Sequence, residues 1–353
     1  MVQQLRMRAA VVLVSSVLIS GGLVSEGQAQ SCTTVKGCTN AATSDLATVG
    51  GGGRNEASGK GATIGGGWAK SASGETATVG GGVDNMANHD YATVAGGLHN
   101  QASGESAAVE GGWTNSASGE TATVGGGSLN TAKGESATVG GGYRNEASGH
   151  YATVPGGSDN RADGIFSFAV GTLAEAIHLG SFVWADATGT DPAAFDYIGI
   201  PFASTAENQF NIRAAGGTRI FSNGAATVGV QLLPEENAWS IASDRELKED
   251  FQPVDKQAVL EQVRQLPVTE WKLKAQTGQV RHIGPVAQDF HAAFRMGASD
   301  RHIHTGDADG IALVAIQALA EQNATLAEQN ATLQTQVAAL LNRVAVLEQK
   351  YQE

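Results

Sequence analysis

Ser243 and Lys248 stand five residues apart at the head of a charged stretch, Ser243-Asp244-Arg245-Glu246-Leu247-Lys248. A serine hydroxyl is a weak nucleophile until a base takes its proton. A lysine can be that base only where burial has lowered its pKa enough to leave the amine neutral. Spacing alone would leave these two as ordinary surface residues. Other reactive side chains are less promising. His282, His291, His302 and His304 crowd into one stretch, but no carboxylate or cysteine completes a ligand spacing, so neither a metal nor a cofactor is expected. Asp186, Asp191 and Asp196 fit no metal motif and read as solvated turn residues. Cys32 and Cys38 have no histidine nearby, and in an exported chain they pair as a local disulfide across a short loop.

The elements that must position Ser243 and Lys248 follow them. Val259, Leu260, Val263 and Leu266 mark a helix, Val268-Thr269-Glu270-Trp271-Lys272-Leu273 a strand, and His282-Ile283-Gly284-Pro285-Val286-Ala287-Gln288-Asp289-Phe290 a second run before the last helix. In that helix Ile316, Asn323, Asn330, Val337, Val344 and Tyr351 alternate by three and four with Leu319, Leu326, Leu333, Leu340 and Leu347, the heptads of a coiled coil. Branched residues and Asn at a with Leu at d favour two strands by themselves.

Upstream, composition departs from that of an ordinary globular chain. Of 353 residues 47 are glycine, 30 of them between Ala47 and Gly164, where Pro155 is the only proline; that excludes collagen and a Pro-rich linker. Val49, Ile64, Val79, Val94, Val109, Val124, Val139 and Val154 recur every 15 residues. Asn55, Asn85, Asn100, Asn115, Asn130, Asn145 and Asn160 follow each by six, with Lys70 the exception. The period is too short for two helices and fits a solenoid of short strands joined by Gly and Asn turns, the two residues that tolerate positive φ. Only 6% of residues are aromatic, so Ala and Val must fill the core, and stacking or oligomerisation is expected to supply the missing burial. Non-periodic aspartates argue against a calcium roll, and a broken threonine lattice against ice binding.

A net charge of −13 excludes nonspecific binding to nucleic acid or anionic lipid. Arg6 and Arg8, the apolar run Ala9 to Val24 and the small residues of Gly27-Gln28-Ala29 read as a secretory signal peptide cleaved after Ala29. No membrane span is expected once it is removed. The chain would then be secreted or held at the cell surface.

Two resemblances bear on function. The repeats, typified by Ala137-Thr138-Val139-Gly140-Gly141-Gly142-Tyr143-Arg144-Asn145-Glu146-Ala147-Ser148-Gly149, resemble the heads of trimeric autotransporter adhesins. From Ser243 to Glu353 the ordered motifs resemble the intramolecular chaperone of phage endosialidases and tail spikes, the S74 peptidase family. The first resemblance implies a left-handed parallel β-roll built by three chains. The second implies a homotrimer folded by its C-terminal domain, which then cuts itself off with a serine at its first position and a lysine five residues on. Ser243 and Lys248 match that spacing, the scissile bond would be Ala242–Ser243, and burial in the trimer would leave Lys248 neutral. The chain departs from the pattern at Glu246, where the family has arginine and this chain has Arg245 one place earlier, and at Pro285 and Asp289.

The expected fold is a mostly β N-terminal solenoid, a trimeric left-handed parallel β-roll, with a C-terminal α+β chaperone domain ending in a trimeric coiled coil. Its parts are a signal peptide (1–29), an N-terminal segment with the disulfide (30–46), the 15-residue-repeat roll (47–171), a β-rich connector (172–242), the chaperone and S74 peptidase domain (243–312) and the coiled coil (313–353). The expected protein is a fibre or adhesin with an unknown surface ligand and one self-directed serine endopeptidase reaction. The alternative is an uncut adhesin that keeps its C-terminal domain as a trimerisation clamp. An enzyme acting on glycans is excluded, because the segment from Ile165 to Ile241 is too short and shows no paired carboxylates.

Overall fold

The computed structural model describes residues 39–188 and 199–352. The expected signal peptide (1–29), Cys32, Cys38, Asp191 and Asp196 lie outside the described residues. Contacts divide the chain into two units that meet in sequence at Ala242 and Ser243.

The first unit is a parallel solenoid. Each turn contributes one two-residue strand to each of two sheets, for example Ser116–Ala117 and Thr123–Val124. Neighbours pair in register at the repeat distance, Val109 with Val124 and Val124 with Val139. In the two-residue strands from Ala41–Ala42 to Thr153–Val154 the outward member is Thr, Ser or another polar residue, with Ala41, Met86 and Ala108 the apolar exceptions, and the inward one is Ala or Val, or Ile at Ile64. That alternation follows from the two-residue period of a strand. Ala117, Ala122 and Val124 are fully buried, as are their counterparts in most turns. The interior is therefore closed within one chain. Of the two expected sources of burial, stacking supplies it, because the tube is so narrow that two alanines and a branched residue per turn fill it.

Asparagine provides the rest of the core. Asn115 Nδ2 donates to Gly111 O (2.8 Å) and Gly127 O (3.0 Å), and its Oδ1 accepts the Asn130 N–H (3.0 Å). Asn145 and Asn160 continue this buried ladder. These asparagines were expected at positive φ in the turns. That conformation belongs instead to the residue before each, Arg54, Asp84, His99, Thr114, Leu129, Arg144 and Asp159, and to Ala69 before Lys70, with φ between 52° and 60°. The side-chain amide is retained because it satisfies three backbone groups inside the tube. Glycine answers a second constraint: a Cβ on Gly104 would strike the carbonyl of Gly119 on the next turn.

The sheets run from Ala41 to Arg213, across the expected 47–171 roll and into the 172–242 connector. The strict period ends because Phe168 pairs with Phe182 and Phe182 with Phe210, which are 14 and then 28 residues apart. The three rings stack at 5.0 and 4.7 Å and carry the register past the change of spacing. Asp186 is no solvated turn residue. It pairs with Arg213 (3.3 Å) and accepts from the Ala215 N–H (2.7 Å); burial works to raise its pKa, and these donors together with Thr188 outweigh it and hold the carboxyl below its usual range. Thr218–Phe221, Gly229–Leu232 and Ser240–Ile241 then form an antiparallel sheet.

The second unit is α+β. Helix α1 (Lys256–Gln265) starts where the Asp255 carboxylate accepts the Gln257 and Ala258 N–H groups. Thr269–Trp271 pairs antiparallel with His282–Gly284. The second expected run therefore splits: Pro285 follows the strand and α2 (Ala287–Phe294) begins after Val286. Helix α3 (Thr305–Gln352) is one continuous helix of 48 residues. Val259 of α1 packs with Phe290 and Phe294 of α2, and Ile311 and Val314 of α3 close the cluster.

Candidate functional site

Arg245–Leu247 form a short 3₁₀ turn capped by Asp244 and Lys248, with Ser243 just before it. The Asp244 carboxylate accepts the Glu246 N–H (3.0 Å), the Leu247 N–H donates to Asp244 O and the Lys248 N–H to Arg245 O (both 3.2 Å). Asp244 caps the turn for the reason that acidic side chains favour helix starts: its oxygens satisfy N–H groups that have no carbonyl before them. The tight turn returns the chain on itself, and Lys248 Nζ donates to Ser243 Oγ at 2.6 Å. Sequence separation of five thus becomes direct contact. When the amine is neutral, the same distance lets its lone pair take the hydroxyl proton. Both residues are exposed in the single chain.

The departures from the expected pattern have local partners. Arg245 holds its guanidinium 4.6 Å from the centroid of the Phe251 ring, a cation–π contact. Glu246 donates its N–H to the capping carboxylate and leaves its own side chain exposed. Sequence reasoning missed both the Asp244 cap and the Phe251 platform. Asp before a polar pair was a readable signal for the cap, whereas nothing in the spacing announces that Phe251 returns to Arg245.

The four histidines occupy separate local settings. His282 stacks on Trp271 at 4.8 Å and meets Gln276 Oε1 at 2.9 Å, while His291 faces Met296 O (3.1 Å). His302 bonds Ser299 (3.1 Å), and His304 lies 3.9 Å from Asp307. Among the described residues no three His, Cys, Asp or Glu side chains gather as a metal site. No helix among them is long and apolar enough to cross a membrane.

Two clamps join α1 to α3 near this unit's core. Lys256 Nζ donates to Glu321 Oε1 (2.5 Å) and Gln322 Nε2 to Gln257 Oε1 (2.7 Å). Beyond them the apolar face of α3, including Leu326, Leu333, Val337 and Leu340, is exposed along its length.

Comparison with curated proteins finds no match. Residues 243–296, which begin at the serine before the turn, match the Peptidase_S74 family model, chaperone of endosialidase, a match that implies self-cleaving peptidase activity in general for the segment that follows the solenoid.

Proposed function

We propose that the chain is an exported, trimeric, adhesin-like fibre whose C-terminal unit assembles it and then separates by cutting Ala242–Ser243. The observation that carries this reading is the 2.6 Å contact between Lys248 Nζ and Ser243 Oγ at the first residue of the matched segment. Ser243 Oγ attacks the Ala242 carbonyl carbon as its proton passes to Lys248 Nζ. The Ala242–Ser243 C–N bond breaks, the leaving amine takes a proton, and an ester joins Ala242 to Ser243 Oγ. Water then hydrolyses the ester, giving a carboxylate at Ala242 and a free N-terminus at Ser243.

Assembly supplies the timing. In one chain the pair is in water, where an ammonium is well solvated and donates to the hydroxyl instead of accepting from it. Packing of neighbouring subunits over residues 243–251 removes that water and favours the neutral amine. The exposed leucine face of α3 supports a parallel coiled coil as the axis of that packing. The S74 match and the solenoid favour three chains over the two that the heptads alone would choose. Light scattering checks this, and a monomer or dimer mass for the intact chain refutes the trimer.

The exposure of Ser243 and Lys248 favours one competing reading, an uncut adhesin that keeps its C-terminal unit as a clamp. Purified wild type beside Ser243→Ala and Lys248→Ala on a denaturing gel separates the two. Wild type is expected to give fragments ending at Ala242 and beginning at Ser243, and both variants to remain whole. An intact wild-type trimer would establish the clamp.

A further inference from the structure

Lys70 occupies the one rung between Asn55 and Asn160 where the buried asparagine ladder carries another residue. Its side chain is 1% exposed, and Nζ is buried with no hydrogen-bond partner. The ladder defines what is expected of a side chain there. Each asparagine amide donates to two glycine carbonyls, as Asn85 Nδ2 does to Gly81 O (2.8 Å) and Gly97 O (2.9 Å). Each Oδ1 accepts the N–H of the next rung, at 2.9 Å for Asn100 and 3.0 Å for Asn130.

Lys70 takes the amide's place. A Cβ on Gly67 would collide with Lys70 Nζ, as a Cβ on Gly82, Gly97 or Gly112 would collide with Nδ2 of Asn85, Asn100 or Asn115. What lysine lacks is the oxygen, and the N–H that needs it is that of Asn85. The Lys70 N–H itself still reaches Asn55 Oδ1 at 3.2 Å, so the ladder is intact below the rung and loses its acceptor above it. An ammonium has three donors and no acceptor, whereas a neutral amine has two donors and a lone pair.

We propose that Lys70 is held in the folded solenoid as a neutral amine in the place of an asparagine amide, its Nζ having no hydrogen-bond partner that would offset an interior ammonium, so that protonation opens this one rung of the solenoid. Burial pushes the Lys70 amine below the ordinary lysine range, in the direction this arrangement requires. No charge on the packed turns offsets an interior ammonium. Below, Arg54 is exposed over the Trp68 ring and Glu56 is exposed; above, Asp84 lies 3.7 Å from His99. Lys60 and Glu75, past the Gly59 and Gly74 turns, are exposed as well.

The sign of the effect follows. At pH values below its folded pKa, Lys70 is charged in both states and the full penalty of the interior charge is felt. Between that value and the ordinary one of 10.5 the unfolded chain alone holds the proton, so stability climbs with pH. Denaturant midpoints of the full chain, measured from about pH 5 to about pH 11 for wild type, Lys70→Asn and Lys70→Met, test this. Lys70→Asn is expected to have the higher midpoint at neutral pH, and its lead over wild type to shrink as pH approaches the ordinary lysine value. The difference between the two variants should stay flat. Should Lys70→Asn fail to fold, wild type against Lys70→Met gives the same slope. A wild-type gap that does not change with pH overturns the proposal. So does a ¹³Cε-lysine NMR titration in which every lysine, Lys70 included, titrates together.

Discussion

Lys248 can be tested in a way that separates contact from proton transfer. Arginine at this position keeps a long cationic side chain beside Ser243 but does not give up its proton in a protein. Lys248→Arg is therefore expected to assemble like wild type and to yield no Ala242 fragment on a denaturing gel; cutting by this variant would remove Lys248 as the base. A second residue-scale prediction concerns the ladder. Asn115→Ala strips partners from Gly111 O, Gly127 O and the Asn130 N–H, of which Gly127 O retains the Trp113 N–H (2.9 Å). The loss should be about 3 kcal/mol, read as a lowered midpoint in denaturant unfolding. The two sites differ in legibility. Ser243 and Lys248 were readable because a motif carries a spacing, and the turn that joins them is local. Asn115 was misread because its residue type is common in turns, and a sequence does not say on which side of the backbone a side chain lies.

Among the elements, α1 and α3 were legible from apolar spacing, since Val259, Leu260 and Val263 recur at helical intervals and end on one buried face. The division of residues 282–290 into strand and helix was less so. His282-Ile283-Gly284 has too few residues to show a period, and its pairing with Thr269–Trp271 is a tertiary fact. Phe290 joins these elements, with its ring 4.9 Å from Phe294 and its side chain against Val259. Phe290→Ala should destabilise this unit by about 3–5 kcal/mol. Lys256→Ala, which removes a half-exposed ion pair to Glu321, should change it by less than about 1 kcal/mol. Thermal unfolding of the two variants side by side checks whether packing or the clamp carries the unit.

At the level of the whole molecule, the repeat fixed most of the solenoid in advance. Eight branched residues at a constant interval leave only one parallel register that buries them all. Its far end was not legible, because the spacing changes after Phe168 while the stacking of Phe168, Phe182 and Phe210 continues. Register also makes a sharp prediction. Removing the 15 residues 107–121 joins one complete turn to the next and should leave circular dichroism and the unfolding midpoint close to wild type. Removing 14 of them leaves one turn a residue too long and should lower the midpoint, because the off-period turn from Phe168 to Phe182 keeps its register with stacked rings that residues 107–121 lack.

The same in-register stacking bears on how such a chain changes over generations. Each turn meets the next through backbone carbonyls, small side chains and one amide, so any turn is an acceptable neighbour for any other. Tandem duplication or loss of one repeat-length of coding sequence therefore lengthens or shortens the solenoid by one rung of about 4.8 Å without redesigning a core. Reach becomes a quantity that copying errors can adjust in even steps, and the near-identical repeats that permit it also invite those errors. Lys70 breaks that equivalence, marking one rung that is not interchangeable with its neighbours.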